Sequence, residues 1–266
     1  MSGPGLGPVL GVGREAEVYQ YGEAAVIKVY RPGFAGHRTE AATLRALHHS
    51  GVAPALLDVI EHDGRSALVI ERVAGPNLLL VLERQPWRIH AIGQSFARAH
   101  RAIHQIQAPA ELADLRAVLA GRIAAADLPR RLRDFVSTVL DRLPGGDRLC
   151  HGDYHPGNVL LVAERPSVID WGAATRGVPE ADHARTLLLL RWADPLPDTP
   201  LLSRALIGAG RRLLTASYVR AYRPALTAPR DVGSWLTVNA AARLAEGIPA
   251  ERPVLVRHLE RALSRS

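Results

Sequence analysis

The 266-residue sequence predicts an α+β chain in two unequal parts: a small N-terminal β-sheet lobe with one helix over residues 1–75, and a larger, mainly helical C-terminal lobe over residues 76–266. Three observations predict it. Residues 7–30 alternate apolar and polar positions around glycines, the two-residue period of strands. From Gly75-Pro76-Asn77 onward, apolar residues recur every three or four positions, the period of helices packed on one face. The charge balance changes at the same point: residues 1–75 hold 7 basic and 8 acidic residues, residues 76–266 hold 26 basic and 18 acidic ones.

The elements follow in order. Residues 7–30 read as a hairpin or three-stranded meander ending in the β-rich run Ala25-Val26-Ile27-Lys28-Val29-Tyr30, which puts Lys28 on a strand. Pro32-Gly33 and Gly36 end that strand, and residues 38–49 then space Ala42, Leu44, Leu47 and His48 as a helix does. Two strands near 55–61 and 66–72 flank the turn His62-Asp63-Gly64. Beyond the boundary, Ile89, Ile92, Phe96, Ala99, Ile103 and Ile106 make residues 88–106 an amphipathic helix. Helical periods return near 129–142, 180–193, 201–222, 232–246 and 251–263. Residues 147–171 hold the only other strand-like material: Arg148-Leu149-Cys150, Val159-Leu160-Leu161-Val162, and Ser167-Val168-Ile169-Asp170 with Asp170 at the strand's end.

Composition narrows the class. At 47% hydrophobic, the chain can bury a sizeable core, which excludes a disordered or fibrous protein. The start, MSGPGLGPVLGVG, has no positively charged segment before its apolar residues, and no apolar run approaches the roughly 18 residues that span a bilayer. A cytoplasmic protein without a membrane partner is therefore expected, and the single cysteine, Cys150, fits a reducing compartment. The basic C-terminal part fits either an anionic partner or arginines on solvated helix faces. No basic block is interleaved with aromatics as a single-strand groove requires, so nucleic acid is not expected as a partner. Of the 33 basic residues 32 are arginine, and Lys28 is the only lysine. An ammonium is a compact point charge where a guanidinium is a wide fork, so a position that keeps lysine suits a tight phosphate contact.

The strongest motif is His151-Gly152-Asp153-Tyr154-His155-Pro156-Gly157-Asn158, followed by two short strands and Asp170. Phosphoryl transfer needs one carboxylate near the attacking hydroxyl, plus an amide oxygen and a second carboxylate to hold magnesium on a triphosphate. Asp153, Asn158 and Asp170 supply those groups, and two ligands match the few protein oxygens that magnesium takes. As plain turn residues, Asp153 and Asn158 would be unremarkable, but the combined string argues against that.

The run HGDYHPGNVLL followed by IDW closely resembles the aminoglycoside phosphotransferase and choline kinase family of protein-kinase-like enzymes, in order along nearly the whole chain. The resemblance implies a bilobal protein-kinase-like fold and a small-molecule kinase using ATP or GTP with Mg2+. It implies Asp153 as catalytic base and Asn158 and Asp170 as metal ligands. Gly11 and Gly13 with Val18 resemble the loop over the phosphates, Lys28 the lysine on the α and β phosphates, and Glu40 its partner. The segment 68–75, with Glu71 and Val73, is similar to the hinge that meets the adenine, and Asp182 to the helix aspartate that braces the catalytic loop. His151 and His155 are expected as loop props, His100 and His104 as packing or surface residues. Trp171 is read as core with a possible substrate edge.

Gly152 stands where protein kinases carry an arginine that senses a phosphorylated loop, and only about ten residues separate Asp170-Trp171-Gly172 from a helix. A small hydroxylated acceptor is expected rather than a protein. Among a sugar, an amino alcohol, an aminoglycoside or another natural product as acceptor, the 14 arginines against 8 acidic residues in 172–266 favour a neutral or anionic one, such as a sugar, a nucleoside-like compound or another natural product, over a polycationic aminoglycoside. Glu180, Asp194, Asp198 and Asp231 are the residues that would line an acidic pocket instead. A nucleotide-binding regulator without turnover is the first alternative, although no principal catalytic residue is missing, and a nucleic-acid-binding protein that uses the basic C-terminal part is the second.

Overall fold

A computed structural model describes residues 5–192 and 201–266, with the backbone alone at 201–207. The N-terminal part is a five-stranded sheet of β1 (Val9–Val12), β2 (Ala16–Tyr21), β3 (Ala25–Tyr30), β4 (Leu56–His62) and β5 (Arg65–Glu71). Its order is β1-β2-β3-β5-β4 and every pairing is antiparallel. The β4–β5 hairpin turns through Asp63 and Gly64, whose φ values of 49° and 70° are what a two-residue hairpin demands and an Asp-Gly pair tolerates. The alternation in β3 sorts its side chains: Ala25, Ile27 and Val29 join Ala67 and Val69 in a small cluster, while Tyr30 enters the main core and Val26 packs against it. Lys28, in step with Val26 and Tyr30, therefore shares the face toward α1 (Gly36–Ala46), the one helix of this part.

The remainder is helical apart from two small ladders. Among the described residues it contains α2 (Leu78–Arg84), α3 (Ile89–His104), α4 (Leu115–Ala125), α5 (Arg130–Arg142), α6 (Pro179–Trp192), α7 (Leu201–Tyr222), α8 (Val232–Arg243) and α9 (Arg252–Leu263). The ladders pair β6 (Arg148–Cys150) with β9 (Thr175–Gly177), and β7 (Val159–Val162) with β8 (Arg165–Val168). Helix α6 is buried on every side from Glu180 to Leu190, so it has no single apolar stripe and serves as the central post. Helix α3 packs on α7, α6 on α8, and α8 on α4, α5 and α9. Phe96, Tyr154, Trp171, Tyr218, Tyr222 and Trp235 fill this core with no exposed surface, each contributing roughly 2–3 kcal/mol by burial. No helix among the described residues is long and apolar enough to cross a membrane.

Four features depart from the sequence reading. Helices α2 and α4 were not expected, yet each begins at a side-chain cap: Asn77 accepts from the Leu80 amide at 2.9 Å and Asp114 from the Ala117 amide at 3.0 Å. Strand β9 was also unexpected, since three residues carry no period and only pairing with β6 makes them a strand. The strand before Asp170 stops at Val168, and Asp170 itself adopts the left-handed region at φ 66°.

Candidate active site

Lys28 meets both carboxylates expected near it. Its Nζ donates to Glu40 Oε2 at 2.7 Å and to Asp170 Oδ1 at 2.8 Å. Glu40 is buried on α1 and also accepts from the Tyr30 hydroxyl and, at 3.3 Å, from the Trp171 amide, so one carboxylate joins the sheet, α1 and the segment after β8. Burial lowers the pKa of Lys28, but Glu40 and Asp170 outweigh it and hold the ammonium above its ordinary value. The cation is therefore permanent at neutral pH. In the sheet register Gly11 lies opposite Val18 and Val18 opposite Lys28, so the glycine strand lies two strands over from the lysine. Gly13 closes the β1–β2 turn by donating to the Ala16 carbonyl at 2.9 Å. Glu71 ends β5 and accepts from the Ala55 amide at 3.1 Å, with half-buried Val73 just beyond it.

The loop after β6 is held by Asp182 of α6, whose oxygens accept from the His151 amide at 2.7 Å and the Gly152 amide at 2.9 Å. Gly152 has φ 78°, and a Cβ there would strike the Ala173 carbonyl, which explains why no arginine occupies this position. His151 is buried and donates from Nε2 to the Ile169 carbonyl at 3.1 Å while Nδ1 accepts from the Asp153 amide at 3.2 Å; both nitrogens are thus spent on holding the loop. His155 accepts from the Gly157 amide at 3.1 Å, and its other nitrogen lies 3.6 Å from Asp153. The two histidines behave as the props expected of them.

Asn158 ties the three oxygen-bearing residues together. Its side-chain amide donates to the Asp153 carbonyl at 3.1 Å, and its own carbonyl accepts from the amide of Ile169, next to Asp170, at 3.0 Å. Its amide oxygen has no partner among the described residues, and Asp170, whose side chain is 52% exposed, leaves its second oxygen free beside the one on Lys28. An amide and a carboxylate oxygen facing the same loop fit a hard cation that keeps most of its waters, so Asn158 and Asp170 fit magnesium. At Asp153, burial raises the carboxyl pKa, but the hydrogen bond and charge of His155, with Arg185 and His151, outweigh it and keep the group ionised well below the usual carboxylate range.

Sequence reasoning missed the layer beneath. Of the two readings of His100 and His104 of α3, packing or surface, both rings take the first and are buried, with Nε2 atoms that donate to Asp182 at 3.0 and 3.1 Å. The Tyr218 hydroxyl bridges His100 and His183 at 2.8 Å each, and the Tyr222 hydroxyl meets His104. Burial first, then the neighbouring His104, push His100 down to about 3 against the pull of Asp182, so the His100 ring is neutral. The i, i+4 spacing of the histidines was visible; that a carboxylate 78 residues on would face them was not. Arg185, also missed, donates to the Gly152 carbonyl at 3.3 Å and stands 3.8 Å from Asp153.

Two expectations are corrected. Trp171 is completely buried, with its indole nitrogen on the Val168 carbonyl at 3.0 Å, so it offers no edge to a substrate. Glu180 lines no acidic pocket, because its carboxylate accepts from the Thr227 and Ala228 amides at 2.8 and 2.9 Å. Asp231 is half-buried, and Asp194 and Asp198 lie outside the described residues.

Against known proteins, residues 8–222 match the model of the phosphotransferase enzyme family. Curated proteins give no sequence match. Among solved structures, a choline/ethanolamine kinase family protein from Mesorhizobium loti is 19% identical, with a TM-score of 0.63 over 97% of this chain and 87% of its own. An amicoumacin kinase in complex with AMP-PNP, Ca2+ and amicoumacin is 15% identical, with a TM-score of 0.64 over 97% of this chain and 88% of its own. A thermostable aminoglycoside phosphotransferase in ternary complex with AMP-PNP and hygromycin B is 17% identical, with a TM-score of 0.65 over 98% of this chain and 90% of its own. The fold is thus the bilobal protein-kinase-like one, as the sequence predicts.

Proposed function

Because this chain belongs to the phosphotransferase enzyme family, we propose that it moves the γ-phosphate of ATP, or of GTP, to a hydroxyl of a small molecule in the cytoplasm. Residues 1–75 form the nucleotide-binding lobe in this reading and residues 76–266 the catalytic and acceptor-binding lobe. One observation carries it: Lys28 reaches Asp170 across 142 residues of sequence, so the lone lysine and the second carboxylate face one space.

In the reaction, Asp153 accepts a hydrogen bond from the acceptor hydroxyl and takes its proton as the hydroxyl oxygen bonds to the γ-phosphorus. The bond from that phosphorus to the β–γ bridging oxygen breaks, and ADP leaves. Lys28 supplies fixed positive charge to the α and β phosphates, with Glu40 holding it in place. Gly11, Gly13 and Val18 cover the phosphates, and the backbone near Glu71 and Val73 meets the base. Asn158 and Asp170 would hold Mg2+, which would neutralise phosphate charge on the nucleotide. Asp182 and its histidines keep the loop rigid, so that positioning and electrostatics supply most of the acceleration. Structures of similar fold hold AMP-PNP together with amicoumacin or hygromycin B, which supports a nucleotide and a small acceptor as the two substrates.

ADP release measured over a panel of hydroxylated metabolites and antibiotics tests the reading. Asp153→Asn is expected to lose about 10²- to 10⁴-fold in kcat while retaining nucleotide binding, and Lys28→Ala to lose nucleotide affinity. Full turnover by either variant refutes these roles.

A further inference from the structure

Resting on the phosphotransferase reading, we infer that the acceptor carries an anionic group, a carboxylate or a phosphate, and that Arg122 binds it. Arg122 lies in the last turn of α4 and, with Gly152, Thr175, Asp182 and Arg185, borders a small cavity against the loop that carries Asp153. The guanidiniums around it are matched to carboxylates. Arg185 donates to Glu246 at 2.7 Å, and Arg243 takes the other oxygen of Glu246 and both oxygens of Glu251, at 2.7 and 2.9 Å. Both glutamates are thereby fully committed.

Arg122 has neither a hydrogen bond nor an ion pair among the described residues, although it is half-buried. Burial and the like charge of Arg185 work against its protonated form, Glu246 and Asp153 favour it, and Arg14, at the β1–β2 turn, adds a further like charge. Neither carboxylate accepts a hydrogen bond from it among the described residues, and a partly desolvated guanidinium whose donors meet no acceptor is unfavourable until one arrives. The cavity, about 20 Å³, has room for one water beside the unpartnered, buried Thr175 hydroxyl. An anionic acceptor whose hydroxyl meets Asp153 would bring the missing acceptor oxygens to Arg122, since the two residues lie close enough to interact electrostatically. A hydroxy acid or a phosphorylated sugar presents both groups in one molecule, whereas a polycation offers Arg122 no acceptor oxygen.

The test has two arms. In the first, inorganic phosphate is titrated at constant ionic strength into the wild type, Arg122→Gln and Lys28→Ala, and binding is followed by 31P NMR and by the melting temperature. Saturable binding is expected in the wild type and in Lys28→Ala, weakened about tenfold or more in Arg122→Gln, as loss of a charge-assisted contact predicts. Undiminished binding in Arg122→Gln overturns the inference. So does binding that disappears in Lys28→Ala, since the anion then sits with the nucleotide residues, and so does no binding at all. In the second arm, ADP release is compared across acceptors of one skeleton: glucose, glucosamine, glucuronate and glucose 6-phosphate. The acidic members are expected to give the highest kcat/KM, and Arg122→Gln to raise their KM without moving the KM for ATP. Preference for glucosamine overturns the inference but leaves the phosphotransferase reading intact. Phosphate binding lost with Arg122 but no ADP release from any acceptor overturns the phosphotransferase reading instead.

Discussion

Replacing Tyr218 by Phe removes one oxygen atom from the centre of the core and leaves its shape unchanged. That hydroxyl is fully buried and lies 2.8 Å from a ring nitrogen of His100 and 2.8 Å from one of His183. With Asp182 accepting from His100 Nε2, the hydroxyl donates to His100 and accepts from His183, so the substitution orphans one buried acceptor and one buried donor. Each costs about 1–3 kcal/mol, giving about 2–6 kcal/mol in all. For a chain of 266 residues the unfolding entropy near 60 °C is about 0.6 kcal/mol per degree, so the melting temperature should fall by about 3–10 °C. Among the described residues the Tyr222 hydroxyl reaches only His104, so Tyr222→Phe should cost about half as much. Urea denaturation decides: the midpoint should fall with the slope unchanged, further for Tyr218→Phe than for Tyr222→Phe. If Tyr218→Phe stays within about 0.5 kcal/mol of the wild type, the network does not hold the helices under the catalytic loop and the reasoning fails.

Acid should destabilise the fold early. His100 and His183 are pushed down to about 3 in the folded chain, chiefly by burial, so the unfolded chain takes up their protons first as pH falls below about 6.5. Stability is then full above that pH and lost below it, by up to about 1.4 kcal/mol per pH unit for each ring; urea midpoints at pH 7.5, 6 and 5 that do not fall in that order contradict it. Gly152→Ala should lose at least about 1–3 kcal/mol and most activity, because the left-handed backbone and the Ala173 carbonyl leave no room for a Cβ; a thermal melt and an ADP-release assay on the same sample check both. Glu40→Gln should lower kcat/KM for ATP by about 10- to 100-fold, the worth of a charged hydrogen bond to Lys28. Lys28→Gln should then add little more to Glu40→Gln, and full additivity in that double-mutant cycle would contradict a shared role.

Much of this protein was determined by local sequence alone. The β3 alternation put Lys28 on a strand, the three-and-four spacing gave α3, and the HGDYHPGN string located the loop, because each depends on chemistry within about ten residues. Asn77 and Asp114 are readable caps for the two unexpected helices, but α2 has only 7 residues and the alanines around Leu115, Leu119 and Ile123 blur the apolar stripe of α4. What only the tertiary structure decided are the pairings between distant segments: His100 and His104 on Asp182, Tyr218 on His183, Arg185 on Glu246, and Arg122 without a hydrogen-bond partner among the described residues. A buried charge takes its meaning from whichever group the folded chain sets beside it in low dielectric, and no period or motif records which group that is.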